Sequence, residues 1–288
     1  MRMWEDFDFA VHLALDAGEI LKKHFGQTQS VAKGEKGIDI LTAADMASAE
    51  FLRQEIAANS PHRILTEEDE GATASQNHDG LWWVCDPLDG TPPFSRKDKH
   101  FAVSVALVEN GTPILGAIYA PLEGGGTLYS AGRGKGARKQ TECFTGGQIQ
   151  KLSVSSTDKL QAARLAGDWS HDLEAREKTV IVQALLFRQF RQWGMYGSAA
   201  LDIPRVAVDI DAYIYPGFEG HPGLQPWDTA AAGLIVQEAG GTVTDLEGNP
   251  WNPWSPSILA TNGILHQTLL EQLKEVNNPR AHVRVVVE

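Results

Sequence analysis

Apolar residues recur at Leu13, Ala17, Ile20 and Leu21 ahead of Gly26, a spacing of three and four that draws one stripe along a helix. Ala49, Leu52 and Ile56 repeat the pattern, so two helices are expected to open the chain. In "RILTEEDE" a short apolar strand at Ile64 and Leu65 runs straight into an acidic cluster. "LWWVCD" reads as a second buried strand. "FAVSVALVENGTPILGAIYAPL" reads as two more, joined through Asn110-Gly111, a hairpin dipeptide because both residues tolerate positive φ. "GTLYSAG" continues the sheet, and the N-terminal half is expected to be helices on a mostly antiparallel sheet.

The C-terminal half alternates. "ARLAGD" is expected to be a strand, 172–190 a helix, "RQWGMY" a strand, "GSAALDIPRVAV" a helix and "AYIYP" a strand. "WDTAAAGLIVQEAGG" is then an alanine-rich helix stopped by Gly240-Gly241, the usual glycine C-terminus. Such alternation predicts an α/β layer. A weakly marked seam at 145–155 divides an N-terminal half, 1–150, from a C-terminal half, 151–288, with the two packed as one unit.

Composition narrows the class. A chain of 288 residues that is 42% hydrophobic can bury a large core, so folding needs no staple. Two cysteines, Cys85 and Cys143, fit neither a disulfide framework nor a paired zinc site, which favours a reducing cytoplasm. "MRMWEDFDFA" has acids where a signal peptide has an apolar core, and no 18 apolar residues run together, so a soluble cytoplasmic protein away from membranes is expected. The net charge of −12 argues against a nucleic-acid polymer as partner. The one basic cluster, "GRGKGARK" at 132–139, reads as a solvated turn. An acidic protein binds a phosphorylated small molecule only when something cationic stands between carboxylate and phosphate, and metal ions would do so.

Carboxylates gather at the ends of elements. Glu67 and Glu68 end one strand, Asp86 and Asp89 end another in "CDPLDGTPPF", Asp45 follows "ILTAA", and Asp228 starts the alanine-rich helix. Each has an ordinary explanation: Asp228 offsets a helix dipole, Asp45 caps a helix, and Asp-Pro and Asp-Gly turn well. Crowded together, uncompensated carboxylates repel and hold their protons. Hard divalent cations with oxygen ligands remove that cost.

The segment "DPLDGTPPF" resembles the first signature of the inositol monophosphatase superfamily, and "WDTAAAGLIVQEAGG" resembles its second. "DILTAAD", "ILTEED", "HFAVSVAL" and "GSAALD" fall in the matching order, so the likeness runs from about residue 8 to residue 274. The resemblance implies a five-layered α/β/α/β/α sandwich, a homodimer, and hydrolysis of phosphate monoesters with two or three Mg²⁺ ions. It places Glu67, Asp86, Asp89, Asp228 and the carbonyl of Leu88 as metal ligands. It implies that Thr91 with Glu67 orients the attacking water, that Asp45 supports the site, and that Gly90 and Thr91 meet the phosphate. Ser198, Ala199, Glu219 and Asp228 are then the residues expected to meet the rest of the substrate.

Two departures bear on that substrate. Pro92-Pro93 stands where family members often carry Thr-Asn or Lys-Glu, and "GFEGHPGLQPWD" is about two residues long around Glu219. The resemblance implies a polyol or sugar phosphate such as inositol 1-phosphate. "ILGAIYAPL" is similar instead to the branch that acts on adenosine 3′,5′-bisphosphate, for which Tyr213, Tyr215 and Phe218 could form an aromatic slot. Fructose-1,6-bisphosphatase or histidinol-phosphatase activity, and a metal-binding protein without catalysis, are the remaining alternatives. Retention of Glu67 and Thr91 argues against the last.

Overall fold

The computed structural model describes residues 2–27, 30–33, 39–69, 79–168, 173–186, 189–217 and 223–274. The chain begins with α1 (Arg2–His24), the antiparallel pair β1 (Ser30–Lys33) and β2 (Asp39–Thr42), and α2 (Ala43–Asn59). Leu13, Ala17 and Leu21 of α1 and Leu52 and Ile56 of α2 are buried, the stripe their spacing predicts. Next come β3 (Arg63–Thr66), β4 (Leu81–Asp89), the single turn α3 (Thr91–Ser95), β5 (Ala102–Glu109) and β6 (Thr112–Ala120). β7 (Thr127–Gly132), β8 (Gly136–Gln140) and β9 (Ile149–Lys151) complete a seven-stranded sheet in chain order. Its β3–β4 pair is parallel and the others are antiparallel.

Then follow β10 (Arg164–Gly167), α4 (Leu173–Leu186), β11 (Gln192–Gly194), α5 (Ala199–Asp202) and β12 (Ala212–Tyr215). The chain goes on through α6 (Pro226–Glu238), β13 (Thr242–Thr244), β14 (Ile258–Thr261) and α7 (His266–Leu273). A second sheet has the order β11-β10-β12-β14-β13. It is mixed, because β14 runs antiparallel to both β12 and β13 while β10 pairs in parallel with β11 and β12.

The helix α6 explains how the sheets meet. It lies against β4 to β8 of the large sheet on one side and against β13 and β14 on the other, while α1 and α2 cover the far face of the large sheet. On the outer side of the small sheet, α4 and α7 share an apolar cluster with Leu165, Ile214 and Leu259. The layers are therefore α/β/α/β/α. A helix between two sheets must be apolar all round, and Ala230, Ala231 and Ala232 are fully buried. A Cβ on Gly116 of β6 would stand 2.9 Å from Ala231 Cα, so glycine there lets the helix axis come close. One apolar cluster runs from Val84, Ala106 and Ile118 through α6 to Tyr213 and Ala260, so both halves share a core.

At four segments the structure adds detail to the sequence reading. "GSAALDIPRVAV" is not one helix: α5 ends and a 3₁₀ turn begins at Pro204, which has no N–H to continue the ladder. The basic "GRGKGARK" is a turn only at its tip, since β8 begins at Gly136; Glu238 of α6 accepts from the N–H groups of Gly134, Lys135 and Gly136 and pins that tip. The seam near 150 falls at the last strand of the large sheet, β9 (Ile149–Lys151), and the small sheet's first strand begins at Arg164. Pro92 and Pro93 occupy the first turn of α3, where their missing N–H groups would have had no helical partner anyway.

Candidate active site

Two aspartates three apart on a regular strand would point to opposite faces. Here β4 is interrupted between them. Asp86 pairs with Ser104 while Asp89 pairs with Ala102, so three steps on β4 match two on β5. The extra residue is a β-bulge, and it falls where Pro87 cannot donate to the ladder. The bulge brings both carboxylates to the face that meets α6. The backbone is held from two sides: Leu88 N–H donates to Asp86 Oδ1 at 2.9 Å, and Ser48 Oγ of α2 donates to Pro87 O at 2.8 Å. Gly90 follows with φ 87°, and a Cβ there would meet His100 O at 2.8 Å, so glycine is required on both counts.

Asp228 arrives from the start of α6, in its first turn, with Oδ2 accepting from Gln225 N–H at 2.6 Å. One carboxylate oxygen from each of Asp86, Asp89 and Asp228 lies within 4.8 Å of the others. Asp45 has the same local setting at the start of α2. Its N-cap is Thr42, not Asp45 itself; Asp45 sits at the third helical position and accepts from Thr42 N–H at 2.8 Å and from the Thr42 hydroxyl. Its other oxygen lies 3.1 Å from Thr91 Oγ1, which is also 3.1 Å from Leu88 O. Asp45 is thus an acid bonded directly to Thr91, a partner that the sequence reading, which paired Thr91 with Glu67 in orienting the water, did not assign.

Electrostatics separate these acids. Burial is the main cause that holds the Asp86 proton well above the ordinary carboxylate range, with Glu67, Asp89 and Asp228 adding like charge. Burial and Asp89 push Asp228 up to about 8. Asp89 is pushed only to about 6, because the Ser198 hydroxyl and Ala200 N–H donate to it against the cost of burial. Burial also raises Asp45, opposed by its Thr42 hydrogen bonds. Buried carboxylates that face one another without a cation are costly. A donor set made of carboxylate oxygens fits a hard divalent cation such as Mg²⁺ better than a thiophilic metal.

The other candidates fall as follows. Glu67 and Glu68 stand in the turn after β3. Glu67 is near enough to be the largest charge acting on Asp86, and Glu68 acts on Asp45. Asp69 and Arg53, which sequence reading missed, fasten that turn: Arg53 Nε and Nη2 donate to Asp69 Oδ1 at 3.1 and 2.9 Å, and Asp69 Oδ2 accepts from Thr66 N–H at 2.8 Å. Ser198 uses its hydroxyl on Asp89, and Ala199 is buried at the start of α5. Glu219 and Phe218 lie outside the described residues.

His100 and Asp202 were also missed. Asp202 is fully buried and pairs with His100 Nε2 at 3.0 Å. Burial, the largest single influence, would lower the His100 pKa, but the hydrogen bond to Asp202 and the negative charges of Asp202 and Asp89 together outweigh it and the net shift is upward. No local signal marks this pair, which is 102 residues apart. Thr42 is different: "TAAD" carries the Ser/Thr-x-x-acid spacing of a capping box, and that signal was available.

Carboxylates gathered on an α/β/α/β/α sandwich, with a Thr hydroxyl near them, form a donor set that could hold a metal ion. The chain belongs to the inositol monophosphatase family, whose model matches residues 3–278. It is 32% identical over 276 residues to an inositol-1-monophosphatase of Bacillus subtilis, covering 94% of this chain and 98% of that one. It is equally 32% identical, over 274 residues, to a histidinol-phosphatase of Mycobacterium tuberculosis, covering 93% and 98%. Among solved structures, the inositol monophosphatase of Thermotoga maritima superposes with a TM-score of 0.79 at 28% identity, covering 94% of this chain and 98% of that one. The chain is thus a phosphatase, and no helix among the described residues is long and apolar enough to cross a membrane.

Proposed function

We propose that this phosphatase is a Mg²⁺-dependent monoesterase acting on a polyol or sugar phosphate of the inositol 1-phosphate kind, in a cytoplasmic homodimer. The observation that carries the chemistry is the trio of Asp86 and Asp89, both buried, and the half-buried Asp228, with Glu67 acting on Asp86. These carboxylates would hold Mg²⁺, which would neutralise phosphate charge and lower the pKa of a water. Thr91 takes a proton from the attacking water as its own hydroxyl proton passes to Asp45 Oδ1, 3.1 Å away. Burial makes Asp45 a better base than an exposed aspartate. Glu67, the carboxylate acting most on Asp86, is assigned as a ligand that also helps to orient the water.

The substrate reading has its own support. An adenine nucleotide would need an accessible aromatic slot, yet Tyr213 and Tyr215 are 0% and 1% exposed and belong to the shared core. Ring hydroxyls are left to Glu219, because the Ser198 hydroxyl is committed to Asp89. Steady-state turnover on inositol 1-phosphate, histidinol phosphate and adenosine 3′,5′-bisphosphate tests the choice. Inositol 1-phosphate should have the highest kcat/KM. A value for either competitor about tenfold higher would overturn the substrate and leave the metal site standing.

A further inference from the structure

Ser104 faces α6 from β5, directly across the strand pair from Asp86. Opposed residues of antiparallel strands share a face and stand close, so Asp86 and Ser104 are side by side under the helix. Ser104 is fully buried, and its Oγ donates to Trp227 O at 3.0 Å. Trp227 immediately precedes Asp228. The carbonyl of Trp227 already belongs to the backbone ladder of α6, so the helix does not require the serine in order to form. What the bond adds is a fixed separation between the strand that carries Asp86 and the helical turn that carries Asp228.

We infer that Ser104 is a positioning residue that sets the Asp86–Asp228 separation and thereby tunes cation affinity at the site. The inference rests on reading those two aspartates as ligands. A strand residue on the same face without a donor, such as alanine, would fill the space and leave the first turn of α6 held by apolar contact alone. Apolar contact resists separation but resists sliding poorly, because it has no direction. A hydrogen bond has a preferred length and angle. The ligand oxygens of a small divalent cation must be placed to within a few tenths of an ångström, so a directional tie beside them matters more than its net stability suggests.

The test is Mn²⁺ titration of the metal-free full chain, followed by calorimetry and by electron paramagnetic resonance, on wild type, Ser104→Ala and Val105→Ala. Val105 is fully buried on the opposite face of the same strand, among residues packed on α1. Ser104→Ala should weaken the tightest Mn²⁺ site about fivefold, the size expected for one lost buried hydrogen bond, with a small change in Tm. Val105→Ala should lower Tm more and leave Mn²⁺ affinity unchanged. If Ser104→Ala does not fold, Ser104→Cys keeps the branching and shape with a slightly larger atom and a weaker donor and should shift affinity in the same direction. Wild-type affinity in the Ser104 variants would overturn the inference while leaving the ligand assignment intact. A wild-type chain that binds no Mn²⁺ would overturn both.

Discussion

The starts of α2 and α6 are built alike, and burial raises the pKa of the acid at each, but their neighbours differ. Each puts an aspartate at the third helical position and bonds it back to the N–H of the residue before the helix, Asp45 to Thr42 and Asp228 to Gln225. Asp45 then gains two hydroxyl donors, from Thr42 and Thr91. Asp228 instead faces Asp86 and Asp89. Capping chemistry therefore accounts for why an acid stands at each helix start, but it does not decide the role. The neighbours do: an acid ringed by donors can hold or move a proton, and an acid ringed by acids calls for a cation.

The largest effect should come from changing the two acids in the same way. Asp228→Asn should lower turnover by on the order of 10³ or more and abolish tight Mn²⁺ binding, since it removes a charged ligand. Asp45→Asn and Thr91→Ala should lower kcat by roughly 10² to 10⁴, the range for a proton-transfer group, while metal affinity stays close to wild type. Turnover assays beside calorimetric metal titrations read both quantities. If Asp45→Asn lost metal as fully as Asp228→Asn, the contrast between the helix starts would be broken.

A smaller effect concerns pH. Without metal, Asp228 titrates near 8 and Asp89 near 6 in the folded chain, against 3.8 for an ordinary aspartate. Between those values the folded chain keeps protons that the unfolded chain has released, so stability falls as pH rises through the folded pKa values. The Tm of metal-free protein should therefore drop between about pH 5 and about pH 8, and Mg²⁺ should raise it more at the alkaline end. Asp228→Asn should flatten that profile more than Asp45→Asn does. A metal-free Tm that rises over the same range would contradict the crowding of the carboxylates.

What the sequence disclosed follows from how local each signal is. The β5–β6 hairpin was legible because Asn110 and Gly111 have no cheaper use than a turn with φ of 48° and 77°. The end of α6 was legible from Gly240, at φ 90°. The trio of aspartates could be gathered because each sits at an element end, although the bulge that turns Asp86 and Asp89 to one face appears only in the strand register. Asp45 was placed one role away, as a cap, although Thr42 three residues earlier fills that role. Contacts between distant segments were not legible. Ser198 to Asp89 spans 109 residues and Ser104 to Trp227 spans 123. The split of "GSAALDIPRVAV" at Pro204 was a local signal that the helical spacing of its apolar residues masked.

The central claim is that Asp86, Asp89 and Asp228 together hold a divalent cation at the junction of the large sheet and α6. An anomalous difference map from crystals grown with Mn²⁺ tests it most directly. A peak within coordinating distance of oxygens from all three aspartates, and of the Leu88 carbonyl or Glu67, is the predicted result. Fully occupied Mn²⁺ elsewhere in the chain, with no peak among these three carboxylates, would contradict it.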